Sequence, residues 1–299
     1  MIHPSSLRRR NFAAVSLILF VGLSLPVVAP FSTAAGAEGG NDENRERQRA
    51  QLLEQMRARA EATSVRFQEG ERQPKLTDAP VFRYDDQPRY FVDATMWVWT
   101  DRGRPVAFQK IEAMARAGPE WGHCFTSVAE GLLTVKWDDG RKYQSTEPGV
   151  EFLPLVDAPA VPAQNAARKL AARRLVRDFS ARILTNERAN TWEEMRLLPT
   201  PILEYRGPES DEYLGAVFGL TTNGTNPDAL ILLEPRDADG KLVWHYAAAR
   251  MTTGGVVLKY ADKTVWQVDF CPPRPTAFPT WTFFYTRREE PSPSGTNEK

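Results

Sequence analysis

From Val81 onward the chain alternates apolar and polar positions with a period of two, in runs separated by short turns rich in Asp and Gly. Phe91, Asp93, Thr95, Trp97 and Trp99 fall on one face of such a run, and Tyr90, Val92, Ala94, Met96 and Val98 on the other. The stretch Thr100-Asp101-Arg102-Gly103-Arg104 supplies a turn, and Pro105 to Ile111 returns. The device recurs three times. Leu132 to Trp137 returns as Arg141 to Ser145, Ala229 to Glu234 as Lys241 to Ala249, and Val256 to Tyr260 as Thr264 to Phe270. Asp and Gly at these turns provide local side-chain hydrogen bonds and positive φ. Four hairpins predict a dominantly antiparallel sheet.

A helical period interrupts this pattern. The stretch 154–162 is Pro/Ala-rich and reads as an extended linker. It feeds a predicted helix over Ala163 to Leu184. On its wheel Ala171, Ala172, Leu175, Val176, Phe179 and Ile183 gather on one face, opposite Lys169, Arg173, Arg174 and Arg177. The fold class these elements predict is α+β: an antiparallel sheet built from hairpins with a long amphipathic helix packed across it. A second helical run spans about Glu43 to Thr63, with Leu52, Leu53, Met56 and Ala60 on one stripe and Glu and Arg elsewhere.

The N-terminus reads as an export signal over residues 1–37. Arg8, Arg9 and Arg10 form a basic n-region, Phe12 to Leu25 an apolar run ended by Pro26, and Ala35-Gly36-Ala37 an A-x-A site with cleavage between Ala37 and Glu38. Arg9-Arg10-Asn11-Phe12 partly matches a twin-arginine signal. The apolar run is 14 residues long, whereas a spanning helix needs about 20, so a membrane is a partner only if the signal is uncleaved and the run extends through Pro26. The organisation expected is a signal peptide (1–37), a polar and partly helical leader (38–75), a single α+β domain (76–286) containing the linker 154–162, and a disordered tail (287–299).

Charge narrows the partners. The chain has 38 basic and 38 acidic residues. Three of the arginines lie in the signal, which contains no acid, so the exported chain carries −3. A near-neutral balance gives no electrostatic case for nucleic acid. Hydrophobic content of 42% with eight Trp supports a packed core. The two cysteines, Cys124 and Cys271, can pair in an exported protein or sit as separate buried thiols.

Candidate chemistry is sparse. His123 and His245 are the only histidines after the signal, and His123 precedes Cys124 directly, so on a strand the two point to opposite faces. That spacing suits neither a zinc site nor a thiol paired with its own neighbour. Cys124 with His245 is the one sensible nucleophile–base pairing. No nucleophile elbow, phosphate-binding loop or dinucleotide fingerprint is present. No catalytic, cofactor-binding or metal-ligating residue is assigned, and no cofactor is implied. Trp97, Trp99, Trp137, Trp244 and Trp266 all fall in predicted strands, where core packing is favoured over a sugar-stacking platform. Asn223-Gly224-Thr225 is first a turn signal.

Several segments together resemble a family of uncharacterised secreted bacterial proteins. They are Trp97-Val98-Trp99 with Gly103-Arg104-Pro105, His123-Cys124-Phe125-Thr126-Ser127, Pro148-Gly149-Val150 and Phe179-Ser180-Ala181. With them go Leu197-Leu198-Pro199, Gly224-Thr225-Asn226-Pro227 and Trp244-His245-Tyr246-Ala247-Ala248-Ala249-Arg250. The resemblance implies one globular unit over about residues 90–270 and no assigned activity; an acid often stands where this chain has Cys124. The function expected first is a non-catalytic exported binding or envelope-associated domain, in the periplasm, the cell envelope or outside the cell. A secreted hydrolase with a fold-assembled site is the alternative, and a binder of a small apolar ligand between sheet and helix the next. The signal is directly testable: Edman sequencing of the exported form should begin near Glu38, and recovery of a chain that retains Phe12–Leu25 in the membrane fraction would show an anchor.

Overall fold

The computed structural model describes residues 37–115, 118–209, 212–271 and 276–288. The predicted signal up to residue 36 and tail residues 289–299 lie outside the described residues. One compact unit begins at Asn44. The part of the preceding unit that is described is the start of helix α1 (Ala37–Glu61).

About half the residues are in strands and about 15% in helices. The longer strands are β1 (Phe91–Asp101), β2 (Arg104–Met114), β3 (Glu120–Ser127), β4 (Phe179–Asn186), β5 (Thr191–Leu197) and β6 (Tyr213–Thr221), then β7 (Ala229–Ala238), β8 (Lys241–Arg250), β9 (Gly255–Tyr260), β10 (Lys263–Val268) and β11 (Trp281–Arg287). The first large sheet runs β11-β3-β2-β1, with Thr276–Ala277 beyond β11, and Lys75–Leu76 and Phe82–Asp86 both pairing with β1. The second runs β10-β9-β4-β5-β6-β7-β8, and Leu153–Pro154 pairs with β8. A small sheet joins Ser64–Phe67, Leu133–Lys136 and Lys142–Gln144. All these pairings are antiparallel. The turns follow from their residues: Arg102 and Gly103 both have positive φ between β1 and β2, and Asp239 and Gly240 do so between β7 and β8. Successive positive φ values match the right-handed twist of the flanking strands.

Alternation along each strand assigns its side chains to layers. Met96, Val98, Phe108 and Cys124 from the first sheet meet Val217, Leu230, Leu232, Ala247 and Ala249 from the second in one buried cluster. On the outer face of the first sheet, Trp97, Ile111 and Trp121 pack against Met56 and Ala60 of α1, and Trp99 and Phe125 against the small sheet. On the outer face of the second, Phe218, Ile231, Leu233 and Trp244 are covered by Ala172 and Leu175 of helix α2 (Asn165–Leu175). The result is a β-rich sandwich with short coverings.

This corrects the α+β expectation. The predicted helix over 163–184 is helical only through Leu175; a single 3₁₀ turn, Val176–Asp178, follows, and then the chain enters β4. Phe179, Ala181 and Ile183 are buried while Ser180 and Arg182 are not, a period of two. Phe179 and Ile183, four residues apart, satisfy a helical wheel and a strand face equally. What decides is the sheet: β4 lies between β5 and β9, so both its edges gain ladder hydrogen bonds that a helix there would leave open. The stripe on α1 does pack: Met56 and Ala60 are buried and Leu52 and Leu53 half-buried, so the compact unit includes residues expected to form a leader.

Phe179 packs on Tyr246 and Tyr260, ring centres 5.8 and 4.9 Å away. Phe179→Ala should cost about 3–5 kcal/mol and Ser180→Ala about 0.5 kcal/mol or less in denaturant unfolding. Comparable losses at both positions would contradict a strand with one buried face.

Candidate functional site

The inner face of β2 changes character along its length. Phe108 is apolar, but Lys110 and Glu112, which point the same way, are both buried, at 2% and 4% exposure. Two buried charges need fixed partners, because desolvation costs several kcal/mol per ion. Lys110 Nζ donates to Asn226 Oδ1 at 2.7 Å and to the Met251 carbonyl at 3.1 Å, and lies 3.8 Å from Glu112 Oε1. Tyr84 donates its hydroxyl to the same Glu112 oxygen at 2.7 Å. Gly122 stands opposite Glu112 in the register, and a Cβ there would sit 3.0 Å from Glu112 Oε2. Glycine at that position leaves room for the carboxylate.

A second ion cluster adjoins the first. A 3₁₀ turn, Gln87–Arg89, presents Arg89, which pairs with Asp86 at 2.5 Å and with Asp228 at 2.6 Å. Asp228 also accepts from the Thr222 backbone N–H at 3.1 Å and hydroxyl at 2.9 Å, closing the loop 222–228 that holds Asn226. Burial, with the nearby Asp228 carboxylate adding to it, raises the Asp86 carboxyl above its usual range against the opposing charge of Arg89. Burial, and then Glu112, raises the Tyr84 hydroxyl well above 10, so it remains a donor at neutral pH.

Of these groups, Arg89, Lys110, Glu112 and Asn226 line one end of a cleft of about 330 Å³, within the range of small-molecule sites. Lys110, Glu112 and Asn226 lie on its polar side. Phe91, Phe283 and Tyr285 are half-buried on its apolar side, with Tyr90, 52% exposed, beside them. Trp281 and Phe283 are parallel with ring centres 6.0 Å apart, and Phe283 meets Tyr285 edge-on at 4.7 Å.

A second polar cluster lies at the opposite end of β2. Arg104 pairs with Glu234, which also accepts from Tyr205 at 2.7 Å and Arg236 at 2.8 Å. Arg236 extends to Glu130 at 2.7 Å and stacks 3.6 Å from the Phe152 ring centre. An adjoining cleft of about 370 Å³ has Arg104, Glu130, Glu234 and Arg236 in its lining, all already paired.

The residues expected to carry chemistry do not converge. Cys124 lies at the cleft's base, fully buried, and its Sγ accepts from Trp281 Nε1 at 3.0 Å. Burial pushes its thiol up to about 11. His123 faces the other side of β3, stacked on Phe284 at 4.7 Å and bonded to Thr286 at 3.1 Å. Burial and then Arg59 lower its pKa to about 4. Folding therefore favours neutral His123, and that contribution is present above pH 6.5 and lost as pH falls toward 4. His245 is half-buried on β8, with Nδ1 on the Val243 carbonyl at 3.1 Å. Of the alternatives for the cysteines, the structure has separate thiols: Cys124 and Cys271 are both free and buried, and Cys271 donates to the Thr253 carbonyl at 3.3 Å. Trp97, Trp99, Trp137 and Trp244 are buried and Trp266 is half-buried. Among the described residues no group of three His, Cys, Asp or Glu side chains is placed to hold a metal ion, and no helix is long and apolar enough to cross a membrane.

The polar cluster escaped sequence reasoning because its partners are far apart: 116 positions separate Lys110 from Asn226, and 139 separate Arg89 from Asp228. The available signal was Lys110 on the same face as Val106 and Phe108 of a predicted strand, with Glu112 just past its end. No family model matches this chain, and neither does any curated protein or solved structure.

A thiol with these surroundings should be inert. Iodoacetamide should label neither cysteine in the native protein, and both on unfolding without reductant. Rapid native labelling of Cys124 at neutral pH would contradict its burial.

Proposed function

We propose that this chain is an exported, non-catalytic binding protein whose ligand site is the cleft beside β2, the loop 222–228 and β11. The observation that carries the reading is one cleft with an aromatic wall and a pre-paired polar end. Lys110, Glu112, Arg89 and Asn226 are held by neighbours before any ligand arrives, so they present fixed donors and acceptors without reorganisation. Ligand pockets combine apolar walls with a few oriented polar groups in this way. The resemblance to secreted bacterial proteins and the basic, apolar N-terminal run support export.

The same geometry disfavours the hydrolase reading. A nucleophile needs a bonded base and a lowered pKa, whereas the thiol in the cleft is raised and its bonded neighbour is an indole N–H. An apolar ligand between the second sheet and α2 is disfavoured too, because Ala172, Leu175, Val176 and Phe218 fill that space.

A fragment screen on the full chain, read by amide chemical shifts, tests the assignment. Hits should concentrate on Tyr90, Phe91, Thr252 and Thr253, and Thr252→Trp, which fills the mouth, should abolish them while leaving the fold intact. Hits concentrated instead around Arg104 and Glu234, or unchanged in Thr252→Trp, would contradict it.

A further inference from the structure

Tyr90 is the feature that folding alone does not account for. It caps the 3₁₀ turn Gln87–Arg89 in the left-handed region, at φ 64°, a position where glycine or asparagine is favoured. Of the seven described non-glycine residues with positive φ it is the aromatic one; the others lie among Arg, Asp, Asn and Ala. A bulky side chain there is strained, because its Cβ crowds the following carbonyl oxygen. Its ring recovers little by packing, being 52% exposed. Strain of this kind that burial does not repay tends to mark a site of function. The strained ring sits at the mouth of the cleft.

The polar end of the cleft narrows the ligand class. Lys110 has three N–H donors and the structure commits two, to Asn226 and the Met251 carbonyl. Arg89 has five and commits three, to Asp86 and Asp228. Glu112 retains acceptor capacity beyond its bond from Tyr84. Spare donors and spare acceptors therefore lie side by side, in a cluster whose charges already pair with one another. An anionic ligand would meet a cluster with one carboxylate in excess, and a cationic one would compete with Lys110 and Arg89 for carboxylates they already hold. A hydroxyl donates and accepts at once, and the C–H faces of a saturated ring suit aromatic walls. Resting on the reading of this cleft as a binding site, we infer that its ligand is a neutral, polyhydroxylated ring of the carbohydrate class, with Tyr90 stacked on the ring at the cleft mouth.

The test is a titration of the full chain, followed by amide shifts, with methyl glucoside, cellobiose and diacetylchitobiose. Two comparators carry a ring without hydroxyls: benzoate as anion and benzyltrimethylammonium as cation. At least one glycan should move the Tyr90, Thr252 and Thr253 signals saturably. Tyr90→Phe should retain binding, and Tyr90→Gly should weaken it about tenfold or more, with a Tm equal to or above that of the unaltered chain. Cleft shifts with a comparator and with no glycan would overturn the ligand class while leaving the site standing. Silence from all five probes would overturn the ligand class and count against the site as well. A clear drop in Tm for Tyr90→Gly would overturn the role of Tyr90, showing that its ring supports the fold.

Discussion

The two large sheets of this protein are joined by charged side chains as well as by an apolar layer. Lys110, on β2 of the first sheet, reaches Asn226 in the loop leading into β7 and the Met251 carbonyl just after β8, and Arg89 reaches Asp228 beside them. At the other end of β2, Arg104 reaches Glu234 of β7. Between these ends lie Phe108, Val98, Leu230 and Leu232. Apolar contact is non-directional and tolerates sliding, whereas a buried charge held by fixed partners tolerates almost none, since losing them strands the charge without water. Two such clasps on one strand fix how the sheets align.

The clasps also explain why there is a cleft. Apolar side chains at the Lys110 end could close on one another and extend the core. Charged groups held by distant partners cannot collapse in that way, so the space beside them persists with aromatic residues of β11 as its other wall. On the proposed reading, stability and recognition draw on the same residues. Lys110 and Glu112 are structural in their partners and also line the cleft, the proposed ligand site.

How much of this could be read from the chain depends on the range of each interaction. The hairpins were legible because turn chemistry is local: Arg102-Gly103 and Asp239-Gly240 adopt the positive φ that their composition suggests. The face assignment of Met96 and Val98 against Trp97 and Trp99 was legible for the same reason. Residues 176–184 were misread as helix because Phe179 and Ile183 fit both periods, and the arbiter, pairing with β9 and β5, is supplied from elsewhere in the chain. The candidate site was almost wholly hidden. Lys110 and Glu112 resemble the solvated face of any strand until Asn226 is placed against them. His123 and Cys124, the residues that drew attention as chemistry, are packing residues with raised or lowered pKa values that follow from burial first.

Lys110 and Asn226 act as one unit between the sheets, and a double-mutant cycle measures that most directly. Lys110→Met and Asn226→Leu would be made singly and together, and unfolding free energies read from denaturant titration. Each single change should be strongly destabilising, about 3–5 kcal/mol, and the double variant should cost less than the two added by at least about 1 kcal/mol. Costs that add to within about 0.5 kcal/mol would show that the two residues act independently and that this clasp does not align the sheets.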